Sequence, residues 1–449
     1  VFGLVLFYRQ IFYSIKFRLF MEKRAYHLAL AFLFLLLLTI SIPAQDIRNA
    51  SGSDNFLVNL IKNNKDKFPE VAANPDKYEV QILYTQINRD KHNRPSFTSY
   101  KYHVDPKKYF YPASSVKIAG AVLSLQKLNE LHVKGLNKYT SLRIDSSFSG
   151  QTKVDSDKSS QNGLPSIAQY IRKIFLVSDN DAFNRTYEFL GQKYLNEQLW
   201  KRGFKDLRLL HRVSIALSQQ ENRHTNPITF YNKEGKTIYS QPEQFNTEEY
   251  KNDLPSAIKG IGYYSGDSLI KEPKNFNKSN YISVESLQGI LKSIIFPEYV
   301  SKAQRFNLKN DDYEFLYRYM SMLPRESQYP HYDPKEEYDS NCKFLMFGDS
   351  KDTIPRNIRI FNKIGLAYGF MIDNAYVVDL DKNIEFMLTA VIYVNEDQIF
   401  NDDKYEYDKI GYPFLANLGK VIYNYELNRP RKHSPDLKKS RINYNDAAL

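Results

Sequence analysis

The sequence of 449 residues contains a single cysteine, Cys342. One cysteine cannot form an internal disulfide, and a metal site built from thiolates needs several. The sequence also has no pair of histidines at the spacing of metal ligands. A lone cysteine is most often a small buried apolar residue. We therefore predict no metal site and no cofactor.

Acidic residues are outnumbered, with 51 Asp and Glu against 62 Lys and Arg, which gives a formal charge of +11. The excess lies mainly in the first 24 residues and after residue 428, and it does not interleave with aromatic residues as in a nucleic-acid-binding surface. Nucleic acid is therefore not an expected partner. Residues 428–449 are predicted to be a basic disordered tail, with weak attraction to acidic envelope polymers as the alternative.

The N-terminal region has the pattern of a signal peptide. Charged residues at 21–24 precede an apolar run that ends at Ala44, a small residue at a cleavage point. We predict a signal peptide at 21–44 and interpret residues 1–20 as an extension of the gene model. An uncleaved membrane anchor is the alternative, because the run is near the length of a span. The pattern predicts a periplasmic or secreted protein that meets the membrane only during export.

The order of predicted strands and helices indicates one α+β domain over residues 50–427. A strand hairpin at 78–104 comes first, helical periodicity follows to about 225, and strands return at 358–394 before a closing helix at 412–427. The early and late strands must meet in one sheet. We predict an antiparallel sheet flanked by helices, with an inserted all-helical lobe at about 118–225 and a polar insertion at about 228–279.

Ser114 and Lys117 stand three residues apart at the start of an apolar helix. A serine in the first turn lies where backbone N–H groups are free and the helix dipole is positive. Residues i and i+3 share a face, so Lys117 can reach the hydroxyl. A lysine acts as a base only when it is neutral, and burial or a second cation would lower its pKa. The pair predicts an activated serine for acyl transfer; a plain helix N-cap is the structural alternative.

A second polar cluster, Ser178-Asp179-Asn180, lies between two predicted helices. On an extended turn Ser178 and Asn180 point the same way, and Asp179 points to the opposite side, where it can hold the loop. Ser178 could relay a proton, and Asn180 could hold a substrate carbonyl together with Lys117. The structural alternative is a capping cluster for the helix that follows.

A third pattern, Lys363-Ile364-Gly365, closes an alternating strand that another strand soon follows. Gly365 would let a ligand approach the backbone. The structural alternative for Lys363 is an edge-strand lysine, which is common.

The order Ser-x-x-Lys, Ser-Asp-Asn, Lys-x-Gly resembles that of class A β-lactamases and penicillin-binding proteins. The segment 178–191 is similar to exported β-lactamase-related members. The resemblance extends over about 50–427 and implies the β-lactamase/transpeptidase-like fold. It also implies that Ser114 is the acylated nucleophile, that Lys117 is its base or proton relay, and that Ser178 passes the proton to the leaving nitrogen.

The resemblance assigns the remaining residues to substrate binding and electrostatics. Asn180 would bind substrate, and Lys363 would supply positive potential in the cleft. The oxyanion hole would use the N–H of the nucleophile and one from the strand just after Gly365, from Leu366 or Ala367.

The sequence departs from the family pattern at two places. Ile364 replaces the usual Thr or Ser between Lys and Gly, so a hydroxyl that would bind the substrate carboxylate is missing. Class A enzymes carry, on an omega-shaped loop, a glutamate that activates the deacylating water. If Arg212 matches the arginine of that loop, Ser214 fills the glutamate position, and Glu221 is the nearest carboxylate in the sequence. Without such a base the acyl-enzyme would be long-lived.

The resemblance implies an exported, monomeric serine hydrolase that acts on a small-molecule or peptide substrate without a cofactor. Hydrolysis of a β-lactam or a related amide is the most specific activity that it suggests. A D-Ala-D-Ala carboxypeptidase or an esterase is the enzymatic alternative. The alternative of another class is a non-catalytic envelope protein that binds peptidoglycan.

Overall fold

The computed structural model describes residues 49–51 and 55–444. The interpreted gene-model extension at 1–20, the predicted signal peptide at 21–44 and the last five residues of the predicted tail lie outside the described residues. Among the described helices, none combines the length and the apolar character that crossing a membrane requires.

The strands that the structure describes vary from two to ten residues in length. In chain order they are β1 (Asn49–Ser51), β2 (Gln81–Arg89), β3 (Pro95–Tyr102), β4 (Ser141–Ile144), β5 (Leu207–Arg208), β6 (His224–Thr225), β7 (Ile228–Tyr231), β8 (Thr237–Gln241), β9 (Gln244–Phe245), β10 (Ile258–Lys259), β11 (Gly262–Ser265), β12 (Ser268–Ile270), β13 (Lys274–Asn275), β14 (Tyr281–Ile282), β15 (Ile358–Ala367), β16 (Phe370–Asp379), β17 (Ile384–Tyr393) and β18 (Ile399–Phe400).

A six-stranded sheet in the order β1-β3-β2-β17-β16-β15 joins the early and late parts of the chain. Neighbouring strands are antiparallel, except that β1 runs parallel to β3. The predicted antiparallel sheet and the α+β class are therefore confirmed. Within the described residues β15 has a strand on one side only, so its other edge is free to face the site.

The sheet separates two apolar cores. Successive residues of a strand point to opposite faces, and β16 shows this directly: Ile372 and Tyr376 belong to one core, and Met371 and Ala375 to the other. Because both faces are covered, every residue of β16 and of β17 is buried. This explains why both strands read as almost continuous apolar runs.

Helices cover the two faces of the sheet. They are α1 (Asn55–Asn63), α2 (Pro69–Ala73), α3 (Lys117–Glu130), α4 (Ile167–Leu176), α5 (Asn180–Leu190), α6 (Gln192–Lys201), α7 (Gln219–Arg223), α8 (Val284–Ile295), α9 (Asn310–Ser321) and α10 (Tyr412–Asn428). Ser166 caps α4 by accepting a hydrogen bond from the N–H of Gln169. α8 packs on the sheet in the first core, and α10 packs in the second.

The inserted lobe differs from the all-helical prediction because it contains a small sheet. Strand β4 pairs with β7, and β7 pairs with β8. The β7–β8 hairpin lies at the start of the predicted insertion, but it completes a sheet of the lobe. The hairpin packs against the lobe through Phe230, which is fully buried and has its ring centroid 5.6 Å from that of Phe189 in α5.

The polar segment that follows, predicted to be irregular, forms further short strand pairs. Strand β10 pairs with β13, and β11 pairs with β12 and runs parallel to β18. Ala257 and Phe276 are fully buried. The ring of Phe276 lies 5.6 Å from that of Tyr368, which follows β15. This part of the insertion therefore packs beside the end of β15.

The basic segment after residue 428 differs from the disordered tail that composition predicts. Arg429 and Arg431 both pair with Glu426, which is fully buried at the end of α10. Leu437 is also buried, and Tyr444 lies 4.0 Å from the guanidinium of Arg359 in β15. A buried carboxylate needs cationic partners, so the two arginines hold the segment against the sheet.

Candidate active site

Ser114 lies in a tight turn, Ala113–Val116, that leads directly into α3. The expected position was the first turn of the helix, but Lys117 is the first α-helical residue. Ala113 has a φ of +47°, a left-handed conformation that is unfavourable for a residue with a side chain. Ser115 is fixed by a hydrogen bond of 2.7 Å from its hydroxyl to Pro112 O. Ser114 is partly exposed, and within residues 55–444 its hydroxyl makes no hydrogen bond.

The side chain of Lys117 is fully buried and reaches the loop before α5. Its Nζ donates to Asn180 Oδ1 over 2.6 Å and to the backbone carbonyl of Ser178. Ser178 Oγ lies 3.5 Å from the same amine. On the other side Lys363 Nζ donates to Ser178 Oγ over 2.7 Å. The structure therefore brings Lys117, Ser178, Asn180 and Lys363 together beside the turn that carries Ser114.

Burial and charge repulsion determine the ionisation of the two lysines. Burial lowers the pKa of Lys117 well below its usual value, and the positive charge of Lys363 lowers it further. Burial lowers the pKa of Lys363 to about 8. Neither amine makes a salt bridge to a carboxylate in the described part of the chain. Lys117 is therefore the amine that gives up its proton more readily, and Lys363 is the amine that keeps its charge at neutral pH.

Asp179 holds the loop that presents Ser178 and Asn180. It is the N-cap of α5, and its Oδ1 accepts a hydrogen bond of 2.7 Å from Ala182 N. Ser178 has a φ of +58°, so this loop, like the turn before Ser114, stores backbone strain. The capping alternative for this cluster is thus correct for Asp179, and the cap directs the two neighbouring side chains towards Lys117.

Gly365 allows β15 to touch the turn that carries Ser114. A Cβ atom at this position would lie 2.4 Å from Pro112 O and 3.0 Å from Ser115 N. The sequence predicts glycine here for the approach of a ligand, but in the structure the nearest group is the backbone of the turn that carries Ser114. The strand and the turn therefore share one edge of the cleft.

The hairpin turn after β15 indicates which N–H faces that edge. Tyr368 and Gly369 have φ values of +55° and +78°, typical of a two-residue type I′ turn. Ala367, which flanks the turn, then exchanges hydrogen bonds with β16. Because bonded and non-bonded pairs alternate along an antiparallel ladder, the N–H of Leu366 points to the free edge. Leu366 is therefore favoured over Ala367 as the second oxyanion donor.

The side chain of Ile364 packs in the second core and is buried. Alternate residues of a strand point to opposite faces, so this side chain lies on the other face from that of Lys363. Its backbone carbonyl accepts a hydrogen bond of 3.0 Å from Lys363 Nζ. The unusual apolar residue in the Lys-x-Gly motif is thus accounted for by packing.

The loop between β5 and α7 places a serine at the site and keeps its glutamate elsewhere. Ser214, with a φ of +52°, accepts a hydrogen bond of 2.9 Å from Asn180 Nδ2. Glu221 accepts from Ser218 N over 2.6 Å and completes a capping box at α7. Arg212 is buried and holds the loop through His224 O. In the described residues, no carboxylate makes a hydrogen bond with Lys117, Ser178, Asn180 or Ser214.

Two buried residues behind Lys363 were not identified from the sequence. Burial raises the pKa of the Cys342 thiol, and the charges of Lys363 and Lys343 oppose that rise. Lys343 Nζ donates to Asn362 Oδ1 over 2.5 Å. No residue pattern indicates this arrangement, since Lys343 belongs to another Ser-x-x-Lys pattern, one that opens no helix.

A cavity of about 470 Å³ lies elsewhere and is lined mainly by residues from 77–79, 256–260 and 393–398. None of the six predicted site residues lines this cavity. No group of three or more His, Cys, Asp and Glu side chains placed to hold a metal ion occurs in residues 49–51 and 55–444.

Comparisons with known proteins were made for the sequence and for the fold. A model of the beta-lactamase enzyme family, Beta-lactamase2, matches residues 65–307. The structure is similar to a class A beta-lactamase from Clostridium kluyveri, with 14% identity, a TM-score of 0.43, and coverage of 80% of this chain and 98% of that chain. It is also similar to a beta lactamase from Xanthomonas campestris, with 12% identity, a TM-score of 0.43, and coverage of 83% and 97%. A comparison with curated proteins gave no match.

Proposed function

Since the chain belongs to the beta-lactamase enzyme family, we propose that it is a serine hydrolase that forms an acyl-enzyme on Ser114 with a β-lactam or a related amide. The observation that carries the proposal is the meeting of two buried amines on Ser178, beside the turn of the candidate nucleophile. Burial favours the neutral form of Lys117 and Lys363 remains cationic at neutral pH, a combination that suits general-base activation of a serine.

The proposed acylation starts when neutral Lys117 takes the proton of the Ser114 hydroxyl. The serine oxygen then bonds to the carbonyl carbon of the substrate. The backbone N–H groups of Ser114 and Leu366 stabilise the oxyanion. As the carbon–nitrogen bond breaks, the proton passes from Lys117 through Ser178 Oγ to the leaving nitrogen, and Lys363 supplies positive potential. All the groups belong to the chain, so the proposed steps need no cofactor.

Asn180 has two roles in this proposal. Its Oδ1 holds the amine of Lys117, and its Nδ2 reaches Ser214. The substrate amide would compete for the same side chain when it binds. This shared position supports Asn180 as the residue that aligns substrate and base.

Deacylation is expected to be slow. A deacylating water needs a general base, and in the described residues Ser214 is hydrogen bonded to Asn180 while Glu221 is held by Ser218. The arrangement favours a persistent adduct, as in penicillin-binding proteins. For that reason a carboxypeptidase or esterase with a good acyl acceptor is the second candidate function.

Incubation of the protein with a fluorescent penicillin, followed by intact mass with time, tests the proposal. A mass increase of one penicillin, mapped by peptide analysis to Ser114, is expected. A short-lived adduct would indicate β-lactamase turnover, and a persistent adduct would indicate penicillin-binding behaviour. The absence of any adduct, or an adduct on another residue, would refute acylation at Ser114.

Export is part of the proposal. The pattern at residues 21–44 supports a periplasmic or secreted enzyme, which acts as a monomer on a small-molecule or peptide substrate. N-terminal sequencing of the protein recovered outside the cytoplasm tests cleavage after Ala44. Recovery of the protein in the cytoplasmic fraction alone would contradict export.

Acylation is expected to slow as the pH rises through about 8, the pKa of Lys363. The cation is present below this pH and is lost above it, whereas burial and the charge of Lys363 hold the pKa of Lys117 well below its usual value. The second-order rate constant of penicillin labelling between pH 6 and 10 measures the effect. Lys363→Arg keeps the charge and should move the alkaline limb upwards; an unmoved limb would assign it to another group.

A further inference from the structure

Lys274 is a half-buried cation of the inserted segment with no ionic partner in the described residues. Its amine lies over three aromatic rings, 4.6 Å from the centroid of Tyr263, 5.6 Å from Tyr368 and 5.7 Å from Phe276. No hydrogen bond or ion pair of its Nζ is found within residues 55–444. Burial lowers its pKa, and no carboxylate opposes that effect. Ring faces attract a cation, but they do not replace its lost hydration.

The aromatic rings connect Lys274 to the candidate active site. Tyr368 is the first residue after β15, the strand that carries Lys363 and Gly365. Its ring centroid lies 4.9 Å from that of Tyr111, which precedes Ser114 by three residues. The amine of Lys274 therefore stands at the end of the cleft edge that β15 and the nucleophile turn share.

The order of residues along β15 indicates which part of a substrate would face Lys274. Lys363 comes first and contacts Ser178, where the leaving nitrogen takes its proton in the proposed reaction. Leu366 follows with the oxyanion donor, and Tyr368 comes last. With the carbonyl oxygen at Leu366 and the leaving group towards Ser178, the acyl side chain extends towards Tyr368 and Lys274.

We propose that Lys274 is a specificity-determining residue that selects substrates whose acyl side chain carries a carboxylate. The inference rests on the proposed acylation of Ser114 and adds the class of substrate. A carboxylate would supply the missing partner of a partly dehydrated cation, and the rings of Tyr263 and Tyr368 would cover the apolar part of the side chain. The inserted segment would thus contribute to substrate choice.

Two penicillins that differ by one carboxylate test this assignment. Benzylpenicillin and α-carboxybenzylpenicillin share the leaving group and the aromatic side chain. The second-order acylation rate constant for α-carboxybenzylpenicillin, divided by that for benzylpenicillin, therefore isolates the effect of the added charge. We expect this ratio to be about tenfold larger for the wild-type chain than for Lys274→Met, the size of a partly desolvated ion pair. The difference between the wild-type ratio and the Lys274→Met ratio should become smaller as salt is added, because salt screens the ion pair.

Matched variants separate this effect from a general loss of structure. Lys278→Met removes an exposed lysine of the same segment and should keep the wild-type ratio. Lys274→Arg should restore much of the preference because it keeps the charge, and thermal unfolding of each variant checks that it folds.

The possible outcomes distinguish the two proposals. Equal ratios in the wild type and Lys274→Met would overturn the role of Lys274, while acylation of Ser114 would stand. No adduct with either penicillin in the wild type would overturn the proposed function itself.

Discussion

Replacement of Ser114 by alanine is expected to abolish the penicillin adduct. The hydroxyl is partly exposed, is held in a strained turn, and lies three residues before Lys117, whose pKa is lowered by burial. Alanine removes the only atom of this side chain that can form the ester, and no buried hydrogen bond is lost with it. The change should therefore leave the unfolding temperature close to that of the wild type while labelling disappears.

The same helix offers a matched control for this variant. Ser124 and Lys127 repeat the Ser-x-x-Lys spacing in α3, ten residues after Ser114 and Lys117, but both are buried. Within the described residues the hydroxyl of Ser124 has no hydrogen-bond partner, so we expect Ser124→Ala to change the stability of the fold little. We expect Ser124→Ala to be labelled like the wild type. Labelling of Ser114→Ala at the wild-type rate would show that another residue is the nucleophile.

Replacement of Lys117 by methionine is expected to slow acylation by about a thousandfold, the usual contribution of a positioned general base. Methionine keeps most of the apolar volume in a fully buried position. It cannot take the proton of Ser114 or pass it to Ser178. The rate constant for the appearance of the adduct, measured from the intact mass, gives the size of the effect.

Lys127→Met is the control for the loss of a buried amine from the same helix. Burial lowers the pKa of Lys127 to about 7, and its Nζ donates to Gln241 Oε1 over 2.7 Å, away from the site. We expect this variant to acylate at the wild-type rate. If Lys117→Met also retained the wild-type rate, Lys117 could not be the base, and the proton of the serine would have to leave by another route.

The sheet could be predicted from the sequence because its strands carry strong periodic signals. The predicted hairpin at 78–104 contains β2 and β3, and the predicted closing helix at 412–427 ends within one residue of α10. The pairing of β4 with β7 and the strand pairs of the insertion could not be predicted, since strands of two to four residues are too short for a period. Packing of single side chains, such as Phe230, determines where such strands form.

The candidate site could be predicted as a set of residues but not as a network. Motif order brought Ser114, Lys117, Ser178 and Lys363 into one hypothesis, and the structure places their segments together. The contact of Asn180 with Ser214 depends on a left-handed residue in a long loop. No residue pattern predicts a left-handed backbone angle at a serine, so this contact could not be predicted from the sequence.

The prediction of a disordered basic tail was wrong for the described residues because composition does not indicate which charged residues form ion pairs. Arg429 and Arg431 look like solvated charges in the sequence, but they pair with a glutamate that α10 buries. The same limit applies to Lys274, an ordinary polar residue in the sequence whose amine faces three rings in the fold.

The pairing of β2 with β17 has a practical consequence for dissecting the molecule. A polypeptide ending at residue 307, where the family match stops, would retain Ser114, Lys117 and Ser178 but would lose β15, β16 and β17. β2 would then present an unpaired apolar edge to solvent, a surface prone to self-association. Truncation is therefore a poor way to isolate the serine chemistry, and circular permutation through an exposed loop is the better route to moving the chain termini while keeping the sheet intact.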